Sequence, residues 1–207
     1  MKKNMKDIEV EVKYRLESPD AVRQRLVAEG AEGFGRSFES NTRYDNADGG
    51  ITQARCLLRL RKDGKTRLTH KSPHADSGKG GFKIHRELEV EVSDFDTMDN
   101  ILKALGFQPV QIYEKWRETF HLNGCEICLD TLPFGEFMEI EGEKGWIDEV
   151  AETLGLSRSG RITANYLSLF EALRQEYALP FTDLTFANFQ GRSDDFTATL
   201  ARFETEA

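Results

Sequence analysis

Several stretches of this chain set ionisable side chains two residues apart with apolar residues between them. In "IEVEVKYRL", residues Ile8 to Leu16, the side chains of Glu9, Glu11 and Lys13 share one parity while Ile8, Val10, Val12 and Tyr14 share the other. Arg59 and Arg61 alternate with Leu58 and Leu60, and Arg67, Thr69 and Lys71 keep the same step. Glu87, Glu89 and Glu91 alternate with Leu88, Val90 and Val92; Lys115, Arg117 and Thr119 share a parity; Asp130 lies late in "CEICLDTL"; Glu139 and Glu141 alternate with Met138 and Ile140. Gathered Arg and Lys repel one another unless they hold a polyanion, and gathered carboxylates repel unless they hold a divalent cation or pair with those bases. A metal-bound polyphosphate satisfies both groups. Mg2+ or Mn2+ takes carboxylate oxygens and bridges phosphates, Arg binds phosphate bidentately, and Lys adds point charge.

A period of two is the period of a strand, so each charged set predicts a strand with one ionised and one apolar face. Helices are predicted between them. "SPDAVRQRLVAEGA" has Ser18 as N-cap, Pro19 at the first helical position and Gly30 as its stop. "DFDTMDNILKALGF" ends at Gly106, and the helix after "FMEIEG" ends at Gly155, so an acidic strand followed by a helix occurs three times. Asp63-Gly64 and Asn123-Gly124 read as hairpin turns, and Ser72 to Gly81 as a polar loop whose "GKGG" lacks the spacing of a phosphate-binding P-loop. The count is about eight strands with three or four helices, the last being "ITANYLSLFEALRQEY".

Composition bounds the rest. A chain of 207 residues, 39% hydrophobic and 31% charged, suits one globular domain with a possible appendage. No run approaches a membrane span, and "MKKNMKDIEVEV" has no apolar stretch behind its lysines, so a cytoplasmic protein without a membrane is expected. A net charge of −8 argues against a nucleic-acid surface. Cys56, Cys125 and Cys128 read as reduced thiols; "CEIC" is a weak zinc signal because Cys125 and Cys128 in a strand would point to opposite faces, and the four histidines show no zinc spacing.

Solvated strand faces usually mix Ser, Thr, Gln and Asn, whereas here one face is nearly all ionised. If the sheet closes, these faces line a charged lumen and the apolar faces turn out under the helices. The expected fold class is therefore α+β: an eight-stranded antiparallel closed β-barrel, a tunnel with a charged polar lumen and helices packed outside. Water-facing strands are the alternative.

Glu9-Val10-Glu11-Val12-Lys13 resembles the ExExK signature of the CYTH superfamily, the triphosphate tunnel metalloenzymes, which include class IV adenylate cyclases, thiamine triphosphatases and inorganic triphosphatases. The later charged sets resemble that family's motifs in the same order, over about residues 6 to 173. The resemblance implies a triphosphate held in the tunnel by Lys13, Arg59, Arg61, Lys71, Lys115 and Arg117. It implies Mg2+ or Mn2+ held by Glu9, Glu11, Glu139 and Glu141, with Asp130 contributing directly or through water. Lys13, Glu87 and Glu89 are the expected catalytic set, the two glutamates in water positioning. Lys83 has lumen parity and Arg86 does not.

The same clamp serves hydrolysis of a triphosphate or cyclisation of ATP to cyclic AMP and pyrophosphate. The readable recognition residues all address phosphate, which ranks inorganic tripolyphosphate hydrolysis first, class IV adenylate cyclase second, and thiamine triphosphatase or a non-catalytic polyphosphate-binding module after them. The expected partner is a small-molecule triphosphate. Arg59→Ala and Arg61→Ala are expected to leave folding intact, since neither residue lies on an apolar face. The domain is expected to span residues 1–178. In 179–207 the residues Phe181, Leu184, Phe186, Phe189, Phe196 and Phe203 are too many apolar groups for a disordered tail, and predict packing on the outside of the barrel or a homodimer contact.

Overall fold

A computed structural model of the chain describes residues 7–204. Its strands are β1 Ile8–Leu16, β2 Glu32–Asp45, β3 Leu57–Lys62, β4 Thr66–Pro73, β5 Lys83–Val92, β6 Gln108–Leu122, β7 Cys125–Leu132, β8 Gly135–Glu141 and β9 Arg161–Ile162. The first eight form one antiparallel ring in the order β1-β5-β4-β3-β2-β6-β7-β8, closed by the β8–β1 and β1–β5 pairings. The turns follow from local chemistry: Asn123 and Gly124, with φ of 49° and 77°, supply the two positive φ values that a tight β6–β7 hairpin needs.

Four helices of ten or eleven residues are α1 Pro19–Ala28, α3 Phe95–Ala104, α4 Lys144–Thr153 and α5 Tyr166–Glu176; α2 Gly50–Gln53, α6 Phe186–Phe189 and α7 Thr197–Ala201 are about one turn each. Ser18 caps α1 by accepting from the Ala21 amide, and Pro19 fills the first turn where no N–H partner is missed. α1 and α4 cover the apolar face of β1, β7 and β8 through Leu26, Ile147 and Val150 against Val12, Ile127, Met138 and Ile140. α3 covers Tyr44, Leu58 and Leu60 through Leu102. Burying each such side chain stabilises the fold by about 1.5–3 kcal/mol, so the apolar parity is what turns the charged parity inward.

The ring is uneven. β1 pairs with β5 only over Ile8–Glu11, and its next two positions on that edge, Lys13 and Tyr14, pair with β9. β6 pairs with β7 only from Trp116 onward, and the edge left free before it is taken by the C-terminal segment: the Glu114 amide donates to the Leu184 carbonyl and the Leu184 amide to that of Ile112. An apolar cluster of Tyr113, Phe137, Ile162, Tyr166, Phe170, Leu184, Phe189, Phe196 and Leu200 fills this end of the ring. Tyr113 and Phe137 have lumen parity, so the cluster enters the bore; the C-terminal segment covers that end and also packs on the outer wall, where Phe186 meets Phe38 and its amide donates to Glu114.

β2 was not among the strands read from the sequence. Its register shifts between Gly33 and Arg36 and again between Arg43 and Tyr44, and its inward residues between those shifts are Ser37, Glu39, Asn41 and Arg43. A bulged strand with mostly neutral or mixed inward residues carries no charge alternation to read.

Candidate active site

The inward faces bring the separately read charge sets into one buried network. Glu9 is 8% exposed, Glu11 5%, Lys13 1%, Lys115 3% and Asp130 0%. The lumen is filled by ion pairs of both signs, and three groups of contacts can be followed through it.

The first lies on β1, β8, β4 and β5. The Lys71 ammonium reaches both oxygens of Glu9 at 2.6 Å and Glu87 at 2.9 Å, and Lys83 pairs with Glu11. Glu11 stands directly opposite Glu141 in the β1–β8 register. Burial and the neighbouring Glu9 and Glu11 push the Glu141 carboxyl up to about 8. Burial likewise raises Glu9 to about 7, with Glu11 and Glu87 adding to it, against the pull of Lys71. Burial would raise Glu11 too, but Lys83 overcomes it and holds that group at about 2.

The second group surrounds Asp130 on β7. Its carboxylate accepts from Arg117 at 2.7 and 2.6 Å, from Lys115 at 2.9 Å and from the Tyr166 hydroxyl at 2.8 Å. Arg117 also bonds Glu139, and Lys13 lies 3.3 Å from the other Glu139 oxygen while donating to the Ala164 carbonyl at 3.0 Å. Burial opposes the ionised form of Glu139, but Lys13, Arg117 and Lys115 together hold it well below the usual carboxylate range.

The third group joins β2, β3, β4, β5 and β6. Arg61 lies 3.2 Å from Glu39 and donates to Asn41 at 3.0 Å. Arg59 donates to the Tyr113 hydroxyl and to Thr69 Oγ1, each at 3.1 Å, and Thr69 donates to Glu89 at 2.7 Å. Glu39 is 1% exposed, with Lys115 at 3.6 Å and Arg117 at 3.9 Å from its oxygens. The expectation that Arg59 and Arg61 could be removed without cost to folding does not hold with this geometry, because each is nearly fully buried and supplies the donors for buried Glu39, Thr69, Asn41 and Tyr113.

The residues expected to hold metal or phosphate and the expected catalytic set all face this network, as does Lys83; Glu91 is exposed and pairs with Lys65, and Arg86 points outward to Asp7. Asp130 stands apart from Glu9, Glu11 and Glu141, saturated by cations and a hydroxyl. Cys125 and Cys128 are buried thiols pushed up to about 11 and 12 by burial, which leaves them protonated and unreactive. Sequence reading missed Glu39, Asn41, Tyr113 and Tyr166. Glu39 and Asn41 are on the bulged β2, Tyr113 shares the parity of Lys115 and Arg117 and could have been found by it, and Tyr166 opens a helix, where strand parity gives no signal.

The donor set for a cation is carboxylate oxygen, the chemistry Mg2+ and Mn2+ prefer. Among the described residues no three His, Cys, Asp or Glu groups stand together ready to chelate an ion, for Lys71 and Lys83 sit on the oxygens of Glu9 and Glu11. Yet burial, with the mutual repulsion of Glu9, Glu11 and Glu141, pushes two of the three up into the neutral range, and a nearby divalent charge would favour their ionised forms. In their donor chemistry these carboxylates would suit such an ion.

The model of the CYTH domain family matches residues 7–163. This chain belongs to that family. It is 28% identical over 174 residues to "Putative adenylate cyclase MJ0240" of Methanocaldococcus jannaschii, a match covering 78% of this chain and 98% of that protein. A Vibrio parahaemolyticus protein of the same description shares the fold with a TM-score of 0.71 at 24% identity, over 80% of this chain and 99% of the other. HpAC1 from Hippeastrum, an adenylyl cyclase by name for which a dominant triphosphatase activity is stated, superposes with a TM-score of 0.56 at 20% identity, over 79% and 95%. The CYTH tunnel fold is thus the fold of this chain. No helix among the described residues is long and apolar enough to cross a membrane.

Proposed function

We propose that the chain is a divalent-metal-dependent hydrolase of triphosphate compounds, and that inorganic tripolyphosphate is the substrate its site fits best. The observation that carries this reading is the chemistry of the lumen. Its buried groups are mainly guanidinium, ammonium and carboxylate; Asn41 is held by Arg61 and the Tyr113 carbonyl, Thr69 by Arg59 and Glu89, and its two tyrosines, Tyr113 and Tyr166, are themselves buried, with the Tyr113 hydroxyl bonded to Arg59 and the Tyr166 ring under Lys13. A site that pairs only with phosphate oxygens favours the substrate made of nothing else, since an organic end without partners adds little binding in the transition state.

In this reading Arg59, Arg61, Lys71, Lys115, Arg117 and Lys13 turn from their carboxylate partners to phosphate oxygens and neutralise charge as the phosphoryl group leaves. Glu9, Glu11, Glu139 and Glu141 would hold Mg2+ or Mn2+, with Asp130 direct or through water. The ion supplies positive charge beside the phosphate oxygens. Glu87 and Glu89 orient the attacking water: Thr69 fixes one oxygen of Glu89, and Lys71 fixes Glu87. Lys13, buried against Tyr166, holds a phosphate oxygen at the deep end.

Cyclisation of ATP is the second reading, favoured by the name of the Methanocaldococcus jannaschii relative. The deciding experiment incubates the protein with Mg2+ or Mn2+ and, separately, tripolyphosphate, ATP and thiamine triphosphate. Orthophosphate from tripolyphosphate with little product from ATP is expected. Cyclic AMP and pyrophosphate from ATP, with tripolyphosphate untouched, would replace the hydrolase by the cyclase; binding of tripolyphosphate without any turnover would leave a binding module.

A further inference from the structure

A cavity of about 580 Å3 opens outside the lumen, where the end of β2 and the start of β6 meet α2 and α5. Its lining shares no residue with the three groups of contacts described above. Arg43 lines it from β2 and Arg174 from α5. The cations of the lumen all have carboxylate partners. Arg43, among the described residues, has neutral ones: it donates to Gln111 Oε1 at 2.7 Å and to Thr52 Oγ1 at 3.3 Å. Burial works against its charge and lowers its pKa from the ordinary arginine value.

The two acids of the cavity do not supply the missing charge. Asp45 is 4% exposed, and its oxygens take the amides of Asn46 and Ile51 at 2.9 Å, the Thr52 amide at 3.0 Å and the Thr52 hydroxyl at 2.6 Å. Glu171 accepts from Arg174 at 2.8 and 3.0 Å and from Gln175 at 2.7 Å. Each carboxylate is thus committed to its own stretch of chain. Arg43 keeps N–H groups that no anion meets.

The wall at α2 carries a donor and an acceptor together. The side-chain oxygen of Asn46 accepts the Gly50 amide at 2.6 Å, which leaves its nitrogen to donate; Gln53 Nε2 donates to the Asp48 carbonyl at 2.6 Å, which leaves its oxygen to accept. Both amides stand over bare backbone: a Cβ at Gly50 would lie 3.0 Å from the Asn46 nitrogen, and one at Gly49 3.6 Å from that of Gln53. A donor beside an acceptor matches the edge of a nucleobase, as Asn and Gln do with adenine, and Val110 offers the ring apolar surface. A guanidinium without a carboxylate suits an oxyanion. With Arg174 also lining the cavity, a phosphate, which has oxygens enough for two such groups, fits better than a carboxylate. The volume is that of a small-ligand site, more than orthophosphate alone fills.

We propose that this cavity is a second site, separate from the lumen, for a phosphate monoester that carries a planar donor–acceptor edge, the class to which nucleoside monophosphates belong. The phosphate pairs with Arg43 and Arg174, and the base edge meets Asn46 and Gln53. The site stands whichever triphosphate the lumen takes.

The test is calorimetry on the full chain with chelator present, which keeps metal-bound nucleotide out of the lumen, and its probes are AMP, GMP, ribose 5-phosphate and adenosine. AMP or GMP should bind with a Kd below about 0.1 mM. Ribose 5-phosphate and adenosine, each lacking one half of the ligand, should bind at least about tenfold more weakly than the better nucleotide. No saturable binding of either nucleotide, or binding of either half-ligand as tight as theirs, would overturn the proposal. Arg43→Gln should lower nucleotide affinity at least about tenfold, and Gln53→Leu, on the exposed side of α2, at least about fivefold with the melting temperature unchanged. If Arg43→Gln does not fold, Gln53→Leu decides alone. A nucleotide that binds Gln53→Leu as it binds the parent chain sits elsewhere, and the cavity would lose its assignment.

Discussion

Glu9 and Glu141 are the residues whose protonation the fold disturbs in the neutral range, and the direction fixes a testable consequence. Burial and neighbouring carboxylates raise them to about 7 and about 8, so the folded chain binds their protons more tightly than the unfolded one. Their contribution to stability is complete below the ordinary carboxylate range and is lost as pH rises through those values. Glu11 and Glu139, held low, lose their contribution only in acid. His85, lowered to about 4 by burial and Lys83, acts only below about pH 6.5, the ordinary histidine value. Chelator-treated protein should therefore melt at a progressively lower temperature from about pH 6.5 to about pH 8.5. A flat or rising melting temperature in that window would refute the crowding of these acids. Glu141→Gln should flatten the decline and raise the melting temperature at the alkaline end. The same change should lower metal-dependent turnover at least about a hundredfold, as loss of a transition-state electrostatic group does. Asp130→Asn is expected to act oppositely on stability: it leaves Arg117 and Lys115 short of their buried partner, and breaking such a pair costs about 3–5 kcal/mol, read as a lower denaturant midpoint.

At the scale of elements, strands with unbroken alternation could be read from the sequence to within a residue or two. β1, β3, β5 and β8 carry the same charge sign or a simple sign change along one parity, and the helix caps at Ser18, Gly106 and Gly155 are local chemistry. β2 could not be read that way: its two register shifts move side chains between faces, and Glu39 stands there between Ser37 and Asn41. The closure of the bore could not be read either, because it depends on Phe137 and Tyr113 being drawn into a cluster with residues far along the chain, from Ile162 to Leu200, and a one-dimensional pattern does not report that. Leu179, Leu184, Phe189, Phe196 and Leu200 are all buried in this cluster. At about 1.5–3 kcal/mol each, their loss approaches or exceeds the about 5–15 kcal/mol by which a domain is stable. A chain ending at Ala178 should then be insoluble or melt without a cooperative transition. A soluble truncation with a melting temperature like that of the full chain would make residues 179–207 a dispensable appendage, against the packing that their apolar side chains predict.

The whole molecule carries excess negative charge, whereas its lumen is close to balanced. Lys13, Arg59, Arg61, Arg67, Lys71, Lys83, Lys115 and Arg117 face Glu9, Glu11, Glu39, Glu87, Glu89, Asp130, Glu139 and Glu141, eight cations against eight acids. The parities that predict this set from the sequence describe the clamp as a basic surface awaiting an anion. Folding shows instead that each cation already has a carboxylate partner, which is how so many charges can be buried at all. A triphosphate arriving alone would add several negative charges to a site whose cations are already matched by carboxylates, and would displace those carboxylates with nowhere to put their charge. On the proposed reading the glutamates would be free to hold a divalent ion once the lysines and arginines leave them, and the ion would supply the missing positive charge. On that reading the metal would be required for binding and not only for turnover. In thermal melts at about pH 8, the value to which burial raises Glu141, tripolyphosphate with chelator should leave the melting temperature within about 1 °C of the ligand-free protein, and Mg2+ alone should raise it modestly. The two together should raise it by more than the sum of the separate shifts, since each ligand removes the other's repulsion and linkage converts that affinity into stability. A full shift with tripolyphosphate in chelator would mean that the cations bind phosphate without releasing charge to a metal, and the exchange of partners described for this lumen would have to be abandoned.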